Sequence, residues 1–215
     1  MVLEHYGVPT APFAIVHADT IEDKALGVTY DHIQSMIQNS RHAKSLSSYP
    51  LFAKPLAEGS SKGIMETSKI RSPQDLCHVV NTMLSCCPTS HAILIETFLS
   101  GREFTVGVLG SGKDACVLGA TELRWKASSS SSQTGNGSGM PIHFTTENSK
   151  ALDGWDGLAD EVKADRMDPE VELACQVALK AWTVLGCHDG GRVDIRIDTS
   201  SGEPFANFME VSAFV

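Results

Sequence analysis

The sequence predicts an α+β fold, in which helices pack against antiparallel sheets. Two observations favour this class. Short apolar runs alternate with segments of helical periodicity, and the last two runs are joined by Asp198-Thr199-Ser200-Ser201-Gly202, a loop typical of a hairpin. Strands joined by a hairpin are antiparallel. The sequence shows no internal repeat.

The first half of the chain contains three predicted strands and two predicted helices. The strands are the apolar runs at residues 13–16, 51–54 and 92–95. One helix extends from Thr29 to about residue 45, with apolar residues three and four apart. The other helix begins with Ser72 as N-cap and Pro73 at its first position, where a missing N–H costs nothing.

The second half adds four strands and one long helix. The predicted strands are residues 104–109, 115–125, 191–197 and 204–211, and the first two pair with each other. The helix has Asp168 as its N-cap and ends at Gly186. Residues 127–140 are rich in serine and glycine and predict a mobile loop, and the stretch that follows it, through Lys163, is predicted to be irregular.

Composition narrows the function classes. The formal net charge of −9 argues against a nucleic-acid binder, because phosphate neutralisation needs clustered Lys and Arg. No apolar run approaches the roughly 20 residues that span a bilayer. The six cysteines form no CxxC pair, so reduced thiols and a cytoplasmic location are expected.

The last hairpin carries a candidate metal site. The period of two places Arg192, Asp194 and Arg196 on one face of their strand, and Glu210 lies opposite Asp194 because both are equally far from Gly202. Two carboxylates on adjacent strands suit Mg²⁺, which takes one or two carboxylates together with substrate phosphates. A solvated face with cross-strand ion pairs explains the same pattern equally well.

Two further segments have features of a nucleotide site. Lys54 ends an apolar strand and is followed by a glycine- and serine-rich loop, residues 58–63, whose donors suit a polyphosphate. In residues 93–105, an apolar strand leads to an acid, an aromatic residue, a glycine turn and a second acid, which suits an adenine and a ribose. An ordinary turn and an ordinary strand connection are the alternatives.

These three segments follow one another in the order and approximate spacing of one family. Leu51-Phe52-Ala53-Lys54-Pro55, Gly101-Arg102-Glu103-Phe104-Thr105-Val106 and Gly191-Arg192-Val193-Asp194 resemble the corresponding motifs of the D-alanine–D-alanine ligases, within the ATP-grasp superfamily. The resemblance implies an ATP-grasp fold of two α+β lobes, residues 1–100 and 101–215, whose antiparallel sheets grip ATP between them.

The resemblance also implies roles for individual residues. Lys54 contacts the ATP phosphates, Glu96 receives the adenine amino group and Glu103 holds the ribose hydroxyls. Asp194 and Glu210 bind Mg²⁺, or Mn²⁺ in its place, with Ser212 where the family has an asparagine. The remaining implied site residues are Arg192 for developing negative charge, Ser60 and Ser61 over the phosphates, Glu58, Phe98 and Leu99 around the nucleotide, and Lys150 on the mobile loop.

The implied reaction is ATP-dependent joining of two small amino acids, or of an amino acid and a dipeptide, through an acyl phosphate. A homodimer is compatible with the resemblance, and neither nucleic acid nor membrane is an expected partner. Two alternatives stay open, namely another ATP-grasp carboxylate–amine ligase and a non-catalytic ATP-binding or interaction module. The family's N-terminal lobe and the segment after its metal strand have no counterpart in these 215 residues. The sequence therefore predicts an incomplete or inactive copy.

Overall fold

The computed structural model describes residues 1–18, 27–87, 90–125, 144 and 159–213. In chain order its helices and strands are α1 Val2–His5, β1 Phe13–His17, α2 Tyr30–Gln38, β2 Leu51–Pro55, β3 Lys69–Ile70, α3 Pro73–Cys86, β4 Ala92–Thr97, β5 Glu103–Leu109, β6 Cys116–Trp125, β7 Ala159–Lys163, α4 Pro169–Val184, β8 Gly190–Asp198 and β9 Phe205–Ala213. The predicted α+β class is confirmed. Among the described helices, none is long and apolar enough to cross a membrane.

The chain forms two compact units. The four-stranded unit comprises Pro12–Phe98 and Ala127–Trp155, and the five-stranded unit comprises Met1–Ala11, Leu99–Lys126 and Asp156–Val215. The first eleven residues belong to the five-stranded unit because Leu3 and Val8 pack against Ala181 of α4. The Phe208 N–H also donates to the Pro9 carbonyl at 2.9 Å.

In the four-stranded unit, the sheet is antiparallel with the order β1-β4-β2-β3. Its strands alternate between buried and partly exposed residues, so one face supplies Leu51, Ala53, Ile93 and Ile95 to the core. Helices α2 and α3 contribute to the same core. The other face carries Lys54 and Glu96, whose side chains are mostly but not fully buried.

Helix α2 is shorter than predicted, and the extension to residue 45 is wrong. The helix starts where predicted, and Thr29 caps it, since its Oγ1 accepts from the His32 N–H at 3.2 Å. After Gln38, however, the Ser40 hydroxyl donates to the Phe13 carbonyl at 3.2 Å and accepts from the His42 N–H at 2.9 Å. Such side-chain bonds compete with helical ones, and the chain continues as turns.

The other predicted helix starts are confirmed at Pro73 and Pro169. Asp168 accepts from the Glu170 N–H at 2.9 Å and caps α4. Ser72 caps α3 differently from the expected pattern, because its hydroxyl binds the Asp75 carboxylate at 2.7 Å rather than a backbone N–H.

In the five-stranded unit, all neighbours are antiparallel and the order is β7-β6-β5-β8-β9. Helix α4 packs on one face, where Trp182 is fully buried. Gly191 permits this packing, because a Cβ there would lie 2.8 Å from the Trp182 ring and 2.5 Å from the Ser212 carbonyl oxygen. The opposite face stays free of described helices and is called the open face below.

Strand β7 corrects the prediction that the chain is irregular up to Lys163. It pairs with β6 from Thr121↔Lys163 to Trp125↔Ala159. Most of its residues are exposed, so this edge strand lacks the apolar alternation by which a strand is recognised. The predicted mobile loop at 127–140 lies outside the described residues.

Strand β9 contains a β-bulge. Asp194 pairs with Glu210, whereas the next residue, Ile195, pairs with Phe208, so that Met209 is the extra residue. Phe208 consequently packs toward the core beside Ile195, and Glu210 lies with Asp194 on the open face. In a regular strand, two residues that are two positions apart would share a face.

Candidate functional site

The open face of the five-stranded sheet carries one polar row across all its strands. Register pairs Lys163 with Thr121, Thr121 with Thr105, Thr105 with Asp194 and Asp194 with Glu210. Paired residues of an antiparallel sheet point to the same side. The predicted pairing of the two carboxylates is therefore confirmed, and Thr105 joins them as a residue that the sequence analysis did not single out.

Hydrogen bonding and exposure distinguish the two carboxylates. The Thr105 hydroxyl donates to Asp194 Oδ1 at 2.8 Å, which orients that side chain. Glu210 is exposed, and the described residues give it no ion pair. Ser212 lies opposite Arg192, two pairs further along β9.

These groups fit a hard cation. Among the described residues there is no group of three or more His, Cys, Asp or Glu side chains arranged to hold a metal. A pair of carboxylates with a nearby hydroxyl is nevertheless the donor chemistry that Mg²⁺ accepts, since the other positions go to water and phosphate oxygens. Asp194 and Glu210 are the residues that would hold it.

The two arginines of β8, Arg192 and Arg196, have different surroundings. Arg196 is 4% exposed and its Nη1 donates to Glu103 Oε2 at 2.9 Å. Burial lowers the pKa of Arg196, and Glu103 opposes that shift. Arg192 is exposed, and no carboxylate of the described chain pairs with it. Cross-strand ion pairing thus accounts for Arg196 and Glu103 but not for Arg192.

In the four-stranded unit, two predicted nucleotide residues bind each other. Lys54 Nζ lies 2.9 Å from Glu96 Oε1, and both side chains are mostly buried. The pair is diagonal, because Lys54 lies opposite Leu94 and Glu96 lies opposite Phe52. The ion pair holds both groups on the face of the sheet that α2 and α3 leave uncovered.

An aromatic cluster lies beside this pair. Phe144 is 5.0 Å from Phe52 and 6.3 Å from Phe98 between ring centroids, and Lys69 Nζ lies 3.8 Å from the centroid of Phe98. Phe98 was a predicted site residue, whereas Phe144 and Lys69 were not. Both residues are far from Phe98 in the sequence, and no local sequence pattern indicates that they contact it. Leu99, also predicted, is buried.

The predicted phosphate loop has unusual backbone conformations. Ser60 and Ser61 have φ angles of 54° and 60°, a left-handed region that non-glycine residues seldom adopt. Each costs about 1 kcal/mol or more, and such residues cluster at ligand sites. Glu58 forms an ion pair with Lys62 at 3.1 Å across the loop. Lys150 lies outside the described residues.

A cluster around Arg102 anchors the beginning of β5. Its guanidinium binds both oxygens of Glu122, at 2.7 and 2.9 Å, and also reaches Asp168 at 2.6 Å and Glu170 at 3.1 Å. Arg102 lowers the pKa of Glu122 and that of Asp168 through these hydrogen bonds, against the opposing effect of burial. Strands β5 and β6 and the first turn of α4 are therefore fixed together.

The family model described as "D-ala D-ala ligase C-terminus" matches residues 2–212. Proteins named D-alanine–D-alanine ligase are similar: that of Herminiimonas arsenicoxydans is 27% identical over 203 residues, covering 93% of this chain and 49% of the relative. That of Cupriavidus necator is 25% identical, covering 96% and 50%.

Solved structures show the same fold. The VanG D-Ala:D-Ser ligase of Enterococcus faecalis aligns over 99% of this chain and 50% of its own, with a TM-score of 0.62 and 19% identity. A D-alanine–D-alanine ligase of Bacillus anthracis complexed with ATP aligns over 99% and 52%, with a TM-score of 0.57 and 18% identity. The predicted ATP-grasp fold is confirmed. The chain spans about half the length of the curated relatives it matches.

Proposed function

The chain belongs to the family of the D-alanine–D-alanine ligase C-terminal domain, and from that membership we propose that it binds ATP with Mg²⁺ and serves a carboxylate–amine ligase reaction. The observation that carries the proposal is the pairing of Asp194 with Glu210 on the open face, with Asp194 oriented by the Thr105 hydroxyl. A purely structural pair of acids would gain from a cationic partner, and the described chain supplies none.

The residues act by charge and position. Asp194 and Glu210 hold Mg²⁺, which when bound neutralises phosphate charge. Lys54 contributes a cation for phosphate oxygens, and Glu96 accepts a hydrogen bond from the adenine amino group. Arg192, exposed and without an acidic partner, stabilises the negative charge that develops when a carboxylate accepts the γ-phosphoryl group.

The reaction has two steps. A substrate carboxylate oxygen attacks the γ-phosphorus and ADP leaves, which gives an acyl phosphate. The amine of the second substrate then attacks the acyl carbon, phosphate leaves and the amine loses a proton, so that an amide bond forms. No protein nucleophile is required, because positioning and charge neutralisation provide the catalysis.

Calorimetry with Mg-ATP tests the proposal. The Asp194→Asn variant is expected to bind Mg-ATP about 10- to 100-fold more weakly than wild type, since a charged ligand contact contributes about 1.5–3 kcal/mol. Glu203→Gln removes an exposed carboxylate from the turn of the same hairpin and is the matched control, with an affinity equal to wild type.

Two results would contradict the proposal. If folded wild-type protein does not bind Mg-ATP, or if Asp194→Asn and Glu203→Gln bind equally well, the site is not where we place it. Phosphate release in the presence of amino acids then separates a ligase from the non-catalytic alternative, which binds ATP without releasing phosphate.

A further inference from the structure

The ion pair of Glu103 and Arg196 lies on the open face, next to the candidate Mg²⁺ ligands. The two residues are paired across β5 and β8. Glu103 lies two residues from Thr105 along β5, and Arg196 lies two residues from Asp194 along β8, so all four side chains share one face. Two residues of a strand span about 7 Å. The ion pair is therefore the direct neighbour of the polar row.

The two members of this pair differ in their access to a ligand. Arg196 Nη1 donates to Glu103 Oε2 at 2.9 Å. The side chain of Arg196 is 5% exposed, whereas that of Glu103 is 16% exposed. A ligand on the open face can therefore reach the carboxylate far more easily than the guanidinium. An effect of Arg196 on such a ligand is expected to pass through Glu103.

Stability alone does not explain a buried arginine at this position. Removal of two charges from water is costly, and replacement of a buried ion pair by apolar side chains is often neutral or stabilising. Leu123, which pairs with Glu103 from β6, is itself buried, so this part of the sheet accommodates an apolar side chain. The charges of the pair are therefore expected to have a use besides folding.

The surrounding charges indicate what Arg196 contributes. Asp194 is the diagonal neighbour of Glu103 across β5 and β8, about 7–8 Å away, and Glu210 extends the negative charge to β9. Nearby negative charge and burial both disfavour an ionised carboxyl group. Arg196 opposes both effects at Glu103. Arg192 lies four residues from Arg196 along β8, which is about 13 Å, and does not replace it.

We propose that Arg196 is a positioning residue for the nucleotide, because it keeps Glu103 ionised and oriented to accept hydrogen bonds from the ribose hydroxyls. An ionised carboxylate has about four acceptor positions, so Glu103 can bind Arg196 and a ribose at the same time. The inference rests on the proposed function, and it adds to the nucleotide site a residue that acts through Glu103.

Calorimetry with the 215-residue chain tests this inference. Wild type and Arg196→Met are titrated with Mg-ATP and with the Mg²⁺ complexes of 2′-deoxy-ATP and 3′-deoxy-ATP. Wild type is expected to bind Mg-ATP about tenfold or more tightly than at least one deoxynucleotide, because that nucleotide lacks a hydrogen bond to a charged group. In Arg196→Met this preference should fall below about threefold, through weaker binding of Mg-ATP rather than tighter binding of the deoxynucleotide.

A matched control and a conservative variant distinguish positioning from a general loss of structure. Arg124→Met removes an arginine from another carboxylate of the same unit, Glu122, and should keep the wild-type preference. Arg196→Lys should keep most of it, since the contact of Nη1 with Glu103 needs one charged donor and not a planar fork. A role confined to folding would weaken all three nucleotides by the same factor in Arg196→Met and leave the preference unchanged.

A double variant tests whether Arg196 acts through Glu103. Glu103→Gln should lose the preference for ribose hydroxyls, and Arg196→Met should have no further effect on it in that background. The double variant leaves neither charge of the pair buried without a partner. This comparison therefore decides the question even where Arg196→Met alone does not fold, and unfolding midpoints establish the folding of every variant.

Three results would overturn the inference. Wild type could bind Mg-ATP and both deoxynucleotides equally, folded Arg196→Met could keep the wild-type preference, or the double variant could lose a preference that Glu103→Gln retains. In each case Mg-ATP still binds and the proposed function stands. Failure of folded wild type to bind Mg-ATP discards the proposed function, and the inference together with it.

Discussion

Two regions of the five-stranded unit, each centred on an arginine, differ in how the arginine's charge is matched. Around Arg102, one guanidinium meets three carboxylates within 3.1 Å. Arg192 is exposed and forms no ion pair with a carboxylate of the described residues. The first region is complete within the chain and fixes its elements together. The second has a charge without a partner in the described chain, which is the condition expected of a surface that meets a charged ligand.

The largest expected effect concerns Arg102. Replacement of Arg102 by Met should lower the free energy of unfolding by about 2–3 kcal/mol, because Glu122 is only 8% exposed and would lose its bidentate partner. Urea unfolding measures this difference. The matched control is Arg124→Met, which removes a 57% exposed partner of the same Glu122 and should cost less than about 1 kcal/mol. Equal effects of the two substitutions would show that Arg102 is not the anchor.

A smaller effect is expected from pH. In the unfolded chain, Glu and Asp titrate at about 4.3 and 3.9. The folded-state pKa of Glu122 and that of Asp168 are lower, with Arg102 as the main cause. Their contribution is therefore fully present above these unfolded values and is lost as the pH falls through the folded ones.

Urea unfolding between pH 3 and pH 7 measures this loss. The wild type should lose stability below about pH 4.5, where these carboxylates begin to protonate in the unfolded chain. Arg102→Met should lose less over the same interval, since its carboxylates titrate nearer their ordinary values. Parallel curves for the two proteins would mean that other groups cause the acid sensitivity.

The smallest effect is expected at Arg192. Arg192→Gln should change the free energy of unfolding by no more than about 0.5 kcal/mol, because an exposed side chain without an ion pair contributes little to folding. Thermal unfolding in the absence of ligands measures it. A loss as large as that for Arg102→Met would remove the contrast between the two regions.

Much of the fold follows from local periodicity. The alternation in residues 192–197 predicts which face of β8 is buried, and Val193, Ile195 and Ile197 are all in the core. The pairing of Asp194 with Glu210 was also predicted by counting from Gly202. That count succeeds because the bulge adds one residue, so the correct pair was obtained without knowledge of the irregularity that produces it.

The remaining features depend on contacts between distant segments. Strand β7 is defined by its pairing with β6, not by its own composition. The end of α2 depends on a hydrogen bond from Ser40 to Phe13, 27 positions away. The ring of Phe144 packs against that of Phe52, more than 90 residues away in the sequence. Neither the spacing of apolar residues nor secondary-structure propensity predicts such a contact. Motif order could point to Lys54 and Glu96, but not to the ion pair that they form.

The bulge at Met209 sets where β9 can change in length. Before it, Ala206 and Phe208 contribute to the core, and after it Val211 does so, with Glu210 on the opposite side. Deletion of Met209 would leave this alternation intact, because Phe208 would then directly precede Glu210. Deletion of Val211 would instead turn every later residue of the strand over. Natural variation in length is therefore expected at this single position of the strand.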